Sequence, residues 1–277
     1  MTEKIAVQLG NVQKTLLLPL WGRAMETGKS EPLLVDKTAV EVMEKIDYDF
    51  STISAGISPM SQYAWIMRSR YTDGVIKDFL KRHPAGTIVN IGCGLDTTFE
   101  RVDNGTLRWY DLDLPDTIDL RGKFIPETDR RTYISSSFLE EDWLEKIEVN
   151  DGLLFVSAGV FYYFTEPEIR TFFTRLAGRF PGSELVFDAC SAFGIKTANE
   201  LVIKRGGLDE KSYLVWSLEK AEDLEEWDPR YTVLETLYYY RGNRKILPLN
   251  IWLIGLFADS KNIQYMIHMR LGQGSKA

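Results

Sequence analysis

The chain has 277 residues, of which 44% are hydrophobic, and it carries a formal net charge of -7. This length and apolar content allow a full buried core in one large α/β domain or in a domain with a cap, and we favour one core with additions. The acidic balance argues against a protein that tracks phosphate backbones, because nonspecific affinity for nucleic acid comes mainly from clustered Lys and Arg.

Neither a leader nor a membrane segment is expected. Residues 1–4 run into mixed polar sequence, and the longest apolar stretch is Ile251 to Ala258, far shorter than the roughly 20 residues that span a bilayer. Cys93 and Cys190 lack metal-ligand spacing and are too few for a disulfide framework. The sequence therefore predicts a cytoplasmic protein without a metal site, whose partner is a small molecule rather than nucleic acid or a membrane.

The first sixty residues predict a helical addition to a larger core. Val12 to Glu26 and Pro32 to Asp47 carry apolar residues at roughly helical spacing, and Ser51 to Met60 is a small-residue loop that is a candidate flap. Residues 1–60 are predicted to be a helical brace or cap, with a share in ligand binding as the alternative. Residues 61–277 form the second predicted domain.

A long amphipathic helix is predicted from Ser61 to Lys81. Its apolar residues recur at three- and four-residue steps, and it should end before Pro84. Arg68 and Arg70 lie in its middle. Two interpretations stay open for them: solvated side chains that pair with neighbouring carboxylates, or part of an anion clamp.

Strands and helices then alternate, which indicates a parallel sheet covered on both faces. Five strands are predicted, at Thr87–Ile91, Leu107–Leu112, Thr132–Ser135, Leu153–Ser157 and Glu184–Phe187. Helical or loop segments between them include Pro115–Lys123 and Glu166–Arg179. A charged helical insert follows the fifth strand at about 192–228, and Tyr231–Tyr240 and Ile263–Arg270 are expected to form a final antiparallel pair.

A glycine turn follows the first of these strands. Gly92 and Gly94 would lie at the carboxyl end of the strand, where open α/β sheets bind ligands and where glycine lets the backbone approach a ligand closely. The dinucleotide fingerprint needs a third glycine, at the position that Thr97 occupies here. NAD binding is therefore disfavoured.

Two carboxylates end the second strand. Asp111 and Asp113 follow Gly92 by about 20 residues, the distance at which an acidic side chain accepts hydrogen bonds from ribose hydroxyls. Aspartates at strand ends also occur without a ligand, so this pair alone leaves both interpretations open. Together with the missing glycine, the pattern favours a nucleoside without a pyrophosphate, such as S-adenosylmethionine.

Longer stretches of the chain resemble a known family. The stretches are Trp21–Ala24, Arg68–Arg70, the run Val89–Arg101 with its Gly-Leu-Asp-Thr-Thr block, Tyr110–Pro115 and Gly159–Phe164. Together they resemble the leucine carboxyl methyltransferases and the tetracenomycin-type polyketide O-methyltransferases, over roughly residues 12–190.

This resemblance implies an α/β, Rossmann-like class I methyltransferase. Its sheet would be mainly parallel and seven-stranded with a reversed last strand, and helices would cover both faces. The implied activity is methyl transfer from S-adenosylmethionine to a carboxylate or hydroxyl of a small molecule, such as a polyketide or another secondary metabolite. A protein carboxyl methyltransferase, a cofactor-binding protein without transfer activity and a Rossmann-type oxidoreductase are the alternatives.

The resemblance also assigns cofactor-binding residues. Those candidates are Arg68, Arg70, Gly92, Gly94, Asp96, Asp111, Asp113, Ser137, Phe138 and Ala158. The glycines would border the amino-acid part of the cofactor and Asp113 would hold its ribose. Arg68 matches the arginine that meets the methionyl carboxylate, and Arg70 is the fallback.

The remaining assignments concern the adenine and the end of the fourth strand. Ser137 and Phe138 fall where the family places an acidic residue and its neighbour around the adenine. Ala158 stands where relatives usually have a glutamate, which is the main departure from the family pattern.

The candidate acceptor-lining residues are Tyr162 and Tyr163, with aromatic packing as the alternative. A carboxylate acceptor needs no general base, whereas a phenol must lose a proton. The chain offers only His83 and His268 as histidines, and both are expected to have structural roles.

Overall fold

The computed structural model describes residues 4–6, 11–51, 57–204 and 213–272. The strands in these ranges are β1 (Ile5–Ala6), β2 (Ile46–Asp47), β3 (Thr87–Ile91), β4 (Arg108–Asp113), β5 (Arg131–Ser135), β6 (Leu153–Ser157), β7 (Glu184–Ala189), β8 (Thr232–Tyr238) and β9 (Tyr265–Arg270). The α-helices are α1 (Asn11–Thr27), α2 (Lys37–Lys45), α3 (Pro59–Arg82), α4 (Thr98–Val102), α5 (Pro115–Gly122), α6 (Glu166–Arg179), α7 (Ala192–Ala198) and α8 (Leu249–Ser260). Shorter turns of 3₁₀-helix lie at Asp142–Lys146, Phe161–Tyr163 and Ala221–Glu226, and a π-helical turn at Asn199–Lys204.

Seven strands form one sheet in the order β5-β4-β3-β6-β7-β9-β8. Neighbouring strands from β5 to β7 are parallel, whereas β9, the last strand in the chain, runs antiparallel to both β7 and β8. This confirms the predicted α/β class, the seven-stranded sheet and its reversed last strand. The strand order reverses between β3 and β6, and ligands of open α/β sheets bind at such a switch point.

Helices cover both faces of the sheet, as predicted. On one face α6 buries Phe172, Phe173 and Leu176 against the strands. On the other face α3 contributes Ile76 and Phe79 to a second cluster. Strand β3 lies between these layers with all five residues buried, which explains its almost wholly apolar sequence.

Helix α3 has clear start and stop signals. The Ser58 hydroxyl accepts a hydrogen bond from the Ser61 amide at 3.1 Å, and Pro59 stands at the first helical position, where its missing N–H costs nothing. Residues two apart on a helix are separated by roughly 200° around its axis. Arg68 and Arg70 therefore face in opposite directions.

The two N-terminal helices pack against the rest of the chain through a buried ionic network. The Asp36 carboxylate accepts from Arg23 at 2.8 Å and from Arg101 at 2.7 Å, and Arg101 also pairs with Asp73 of α3 at 2.8 Å. Arg23 reaches the glycine turn itself, because its Nη2 donates to the Leu95 carbonyl at 3.1 Å. The N-terminal helices thus brace that turn, while the division into domains at residue 60 stays a prediction.

Two predicted segments are described only in part. In the candidate flap, residues 52–56 lie outside the described residues, and α3 begins within it at Pro59. In the insert, α7 and the π-helical turn follow β7, and residues 205–212 lie outside the described residues. Further along, Val215 donates to the Tyr162 carbonyl at 2.7 Å and Leu218 to the Cys190 carbonyl at 2.8 Å. The insert therefore packs over the carboxyl ends of β6 and β7.

None of the helices in the described ranges combines the length and apolar content that a membrane crossing requires.

Candidate active site

The carboxyl ends of the central strands open onto a cavity of about 790 Å³. This volume lies within the range of small-molecule sites. Gly92 follows β3, Asp113 ends β4, Ser137 follows β5 and Ala158 follows β6, and all four line the cavity. The sheet thus brings candidates together at its switch point that are far apart in the sequence.

The glycine turn has a backbone that favours glycine. Gly92 and Gly94 have φ angles of 64° and 47°, in the left-handed region, and a Cβ on Gly92 would collide with the side chain of Val160. The Gly94 amide donates to Asp113 Oδ2 at 2.8 Å, and the Leu114 amide donates to Oδ1 at 2.8 Å. Burial raises the pKa of Asp113, and these two N–H groups reduce the increase. Asp113 is therefore held at the cavity wall by the turn.

Arg68 is buried at the cavity wall in an ion pair with Asp188. Arg68 Nη1 lies 3.0 Å from Asp188 Oδ2 and 3.5 Å from the Tyr162 hydroxyl. Asp188 Oδ2 also accepts from Gln264 Nε2 at 2.8 Å, while Oδ1 accepts from the Gly159 amide at 2.6 Å. One carboxylate thus joins α3, the turn after β6, the end of β7 and the start of β9.

Asp188 and Gln264 were missed by the sequence analysis. A signal for Asp188 exists, since it is a charged residue near the carboxyl end of an apolar buried strand, where its carboxylate needs a partner. Gln264 carries no comparable signal.

Arg70, the fallback for Arg68, is placed elsewhere. Its side chain is exposed and donates to the Leu33 carbonyl. Arg70 is not one of the described residues that line the cavity.

Asp96 and Asp111 stand behind the glycine turn rather than in the cavity. Asp111 is buried in an ion pair with Arg121 at 2.8 Å, and Arg121 Nη1 donates to the Gly94 carbonyl at 3.1 Å and to the Asp96 carbonyl at 2.6 Å. The Asp96 carboxylate accepts from the Thr98 amide at 3.0 Å. Burial raises the pKa of Asp96, but the charges of Arg23 and Arg101 outweigh it and lower the pKa overall. Both carboxylates thus shape the turn, and their cofactor assignment stays a prediction.

Ser137, Phe138 and Ala158 all line the cavity. The Phe138 ring packs edge-on against Phe164, with ring centroids 4.7 Å apart, and the Ser137 hydroxyl accepts from the Leu139 amide at 3.3 Å. This corner therefore offers an apolar ring and a hydroxyl but no acidic side chain, and the adenine assignment stays a prediction.

Tyr162 and Tyr163 line the cavity next to Arg68, with ring centroids 5.1 Å apart. Burial raises the pKa of Tyr163 to about 12, although the Arg68 charge opposes the increase, and burial raises the pKa of Tyr162 well above its ordinary value. Both phenols are neutral near pH 7 and can donate hydrogen bonds. His83 lies near Asp151 and His268 near Glu184, and neither lines the cavity.

The other part of the cavity is apolar. Side chains from α1, α3, α7, the π-helical turn and α8 contribute to it, among them Leu16, Leu18, Met60, Trp65, Phe193, Leu201, Ile254 and Phe257. The last of these, Phe257, is 55% exposed, so this part of the wall reaches the surface. Arg68 and Asp113 are the charged side chains among the described lining residues.

The lining fits a nucleoside joined to an amino acid. The wall offers a buried cation in Arg68, a carboxylate in Asp113, and the backbone of Gly92 in the left-handed glycine turn. Arg68 matches the carboxylate of the amino acid, Asp113 matches the ribose hydroxyls, and the glycine turn matches the part of the ligand that joins the two.

A seven-stranded sheet with a reversed last strand, and with this glycine turn and acidic strand end at its carboxyl edge, is the arrangement of the class I S-adenosylmethionine-dependent methyltransferases, and the comparisons with known proteins agree. The family model described as leucine carboxyl methyltransferase matches residues 17–177. The chain belongs to this family, which removes the oxidoreductase alternative.

Individual relatives agree with the family model. The tetracenomycin polyketide synthesis O-methyltransferase TcmP of Streptomyces glaucescens is 34% identical over 193 residues, which cover 69% of this chain and 71% of TcmP. The S-adenosyl-L-methionine-dependent methyltransferase dpfgK of Gibberella zeae is 26% identical over 283 residues, 94% of each chain. A DUF574 family protein from Streptomyces avermitilis has the same fold, with a TM-score of 0.58 at 11% identity, over 91% of this chain and 97% of its own.

Proposed function

We propose that the protein transfers a methyl group from S-adenosylmethionine to a carboxylate or hydroxyl oxygen of a small apolar acceptor of the polyketide type. The observation that carries this proposal is that one cavity combines candidate cofactor residues along the strand ends with apolar side chains over much of the rest of its wall. The name of TcmP, a polyketide O-methyltransferase, supports oxygen as the atom methylated.

Three lining residues would hold the cofactor, whereas Gly94 does not line the cavity and would act through Asp113. Gly92 would border the amino-acid part of the cofactor, Asp113, held by the Gly94 amide, would accept from its ribose hydroxyls, and Arg68 would bind its methionyl carboxylate. When bound, S-adenosylmethionine supplies an electrophilic methyl group on a sulfonium.

The protein's own residues must align the acceptor oxygen with the methyl carbon and exclude water from the space between them. An oxygen must be held about 3 to 3.5 Å from the carbon that it attacks. Apolar lining side chains such as Met60 and Leu214 offer water no hydrogen bonds in that space. Tyr162 and Tyr163, as neutral donors, would orient the acceptor oxygen.

The chemistry of the lining favours an acceptor oxygen that is already anionic. The described lining contains no histidine, and its charged groups are Arg68 and Asp113, both committed to the cofactor in this proposal. A carboxylate needs no base, and an acidic phenol ionises without one. We therefore place aromatic carboxylic acids and acidic phenols first among the acceptors.

The second candidate function is protein carboxyl methylation, which the family description favours. A cofactor-binding protein without transfer activity is the third. The cytoplasmic location and the choice of a small molecule over nucleic acid or a membrane stay predictions from the sequence.

One experiment separates these functions. The protein is titrated with S-adenosylhomocysteine in a calorimeter, then incubated with S-adenosylmethionine and a panel of aromatic acids, phenols and a peptide that ends in leucine. We expect binding, and an aromatic product heavier by one CH₂ in mass spectrometry. Methylation of the peptide alone would support the second candidate, binding without product the third, and absence of binding would refute the proposal.

A further inference from the structure

Tyr239 is a cavity residue with an unsatisfied hydroxyl. It follows β8, its side chain is fully buried, and it lines the cavity. Its hydroxyl has no hydrogen-bond partner in the part of the chain that the structure describes. Burying a hydroxyl without a hydrogen-bond partner costs free energy. A ligand bound in the cavity would supply such a partner to the Tyr239 hydroxyl.

The surroundings of this hydroxyl are rich in donors. Tyr239, Arg68 and Tyr162 line the same cavity, and Arg68 and Asp188 lie within electrostatic reach of the Tyr239 hydroxyl. Both oxygens of Asp188 already accept hydrogen bonds. Oδ1 accepts from the Gly159 amide at 2.6 Å, and Oδ2 accepts from Arg68 at 3.0 Å and from Gln264 at 2.8 Å. A guanidinium has five N–H groups and each phenol one O–H, so the cluster has more donors than acceptors. A carboxylate would supply the missing acceptors.

The charges indicate which carboxylate. Arg68 and Asp188 form a buried pair at 3.0 Å and offset each other. An amino-acid group carries an ammonium beside its carboxylate and therefore adds no net charge to this buried cluster, whereas a bare carboxylate adds one negative charge and its desolvation cost. The amino-acid end of the cofactor fits this condition.

We propose that Tyr239 is a binding residue for the methionyl carboxylate of the cofactor and shares that carboxylate with Arg68. The inference rests on the proposed cofactor role of the cavity. Tyr239 lies beyond residues 17–177, which the family model matches. Its ring is held by the Tyr71 ring, with centroids 6.3 Å apart, and its carbonyl accepts from Asn243 at 3.1 Å. These contacts restrain the ring that carries the hydroxyl.

The test is the Tyr239→Phe variant, titrated with S-adenosylhomocysteine and with methylthioadenosine, which lacks the amino-acid end. Loss of a hydrogen bond to a charged group should weaken S-adenosylhomocysteine by about 10-fold or more and leave methylthioadenosine unchanged. Tyr265→Phe is the matched control, because the Tyr265 hydroxyl is buried and donates to the Leu218 carbonyl at 2.9 Å, outside the cavity. It should bind both ligands like the wild type.

Thermal unfolding separates ligand binding from a structural role. Removing an unpartnered hydroxyl should not lower the Tm of the ligand-free Tyr239→Phe protein, whereas Tyr265→Phe loses a hydrogen bond and should unfold at a lower temperature. Equal affinity of wild type and Tyr239→Phe for S-adenosylhomocysteine would overturn the inference, as would an equal loss for both ligands. If the wild type binds neither ligand, the proposed function fails, and this inference fails with it.

Discussion

At the scale of single residues, Arg68 and Asp188 depend on each other, because each is buried and is the other's partner. We expect Arg68→Ala to abolish measurable binding of S-adenosylhomocysteine. It should also lower the free energy of unfolding by about 3 to 5 kcal/mol, because Asp188 is left charged and buried. Calorimetry and urea unfolding measure the two effects separately.

Two further variants make this prediction specific. The double variant Arg68→Ala with Asp188→Asn removes both charges and should recover much of the stability without recovering binding. Arg70→Ala should bind like the wild type, since that side chain is exposed and contacts the Leu33 carbonyl. Unaltered affinity in Arg68→Ala would show that the assignment to Arg68 is wrong.

Asp113 is the second residue whose charge matters for binding. Asp113→Asn should weaken S-adenosylhomocysteine by about tenfold, because an amide replaces one of two accepting oxygens. Burial raises the pKa of Asp113 above the ordinary aspartate value of about 3.9. As the pH is lowered, the affinity of the wild type for S-adenosylhomocysteine should therefore begin to decline before the pH reaches that value. The variant should lack this decline. The exposed Asp119, on the same helix that Asp113 precedes, provides the control Asp119→Asn, and a similar loss there would argue against a specific role.

At the scale of elements, Asp36 connects three helices and the glycine turn. Its Oδ1 caps α2 through the Ala39 amide at 2.9 Å, and its Oδ2 accepts from Arg23 and Arg101. Asp36→Ala should lower the free energy of unfolding by about 3 to 5 kcal/mol, since it removes a cap and leaves buried cations with fewer partners. Urea unfolding measures the loss. Asp78→Ala breaks the exposed pair with Lys81 and should change the free energy of unfolding little. Equal losses of unfolding free energy in the two variants would show that burial does not make the Asp36 network more stabilising than an exposed pair.

Element boundaries were predicted best where local sequence signals mark both ends of an element. The predicted bounds of Thr87–Ile91, Leu153–Ser157 and Glu166–Arg179 are those of β3, β6 and α6. Continuous apolar runs bounded by turns, and a capping box formed by Thr165 and Glu168, are local signals that need no tertiary information. Pro32–Asp47 was predicted less well, because its helix begins only at Lys37, after the Asp36 cap.

At the scale of the whole molecule, the sequence predicted the strand ends of the cavity together with Arg68, Tyr162 and Tyr163, and not the wall formed by the last forty residues. Gly92 and Asp113 were found because they follow consecutive strands, and the topology of an α/β sheet places such ends together. Tyr239, Gln264 and the apolar face of α8 come from the last forty residues, and their meeting with Arg68 depends on the reversed strand β9 and on packing that no local pattern encodes. The partners of buried charges, such as Asp188 for Arg68, were missed for the same reason.

The acid stability of the whole molecule should depend on Glu184, because this one carboxylate connects α3, β7 and β9. It accepts two hydrogen bonds from Arg82 at 2.8 Å each and lies 2.8 Å from His268 Nε2. Burial raises the pKa of Glu184, but the hydrogen bonds from His268 and Arg82 outweigh it and hold the pKa far below its ordinary value. A carboxylate whose pKa is lower in the folded state stabilises the fold above its unfolded pKa, about 4.3, and this stabilisation is lost as the pH falls further.

Glu184→Gln should therefore cost about 2 kcal/mol of unfolding free energy at pH 7, where the wild-type carboxylate is fully charged. The cost should shrink as the pH falls below about 4.3, because the wild type then loses the same contribution. Urea unfolding of both proteins at a series of pH values measures the difference. Glu148→Gln is the control, since Glu148 is exposed and its pairing with Arg108 is solvated. If the difference in unfolding free energy between the wild type and Glu184→Gln stays constant across this pH range, Glu184 acts through packing rather than through its charge.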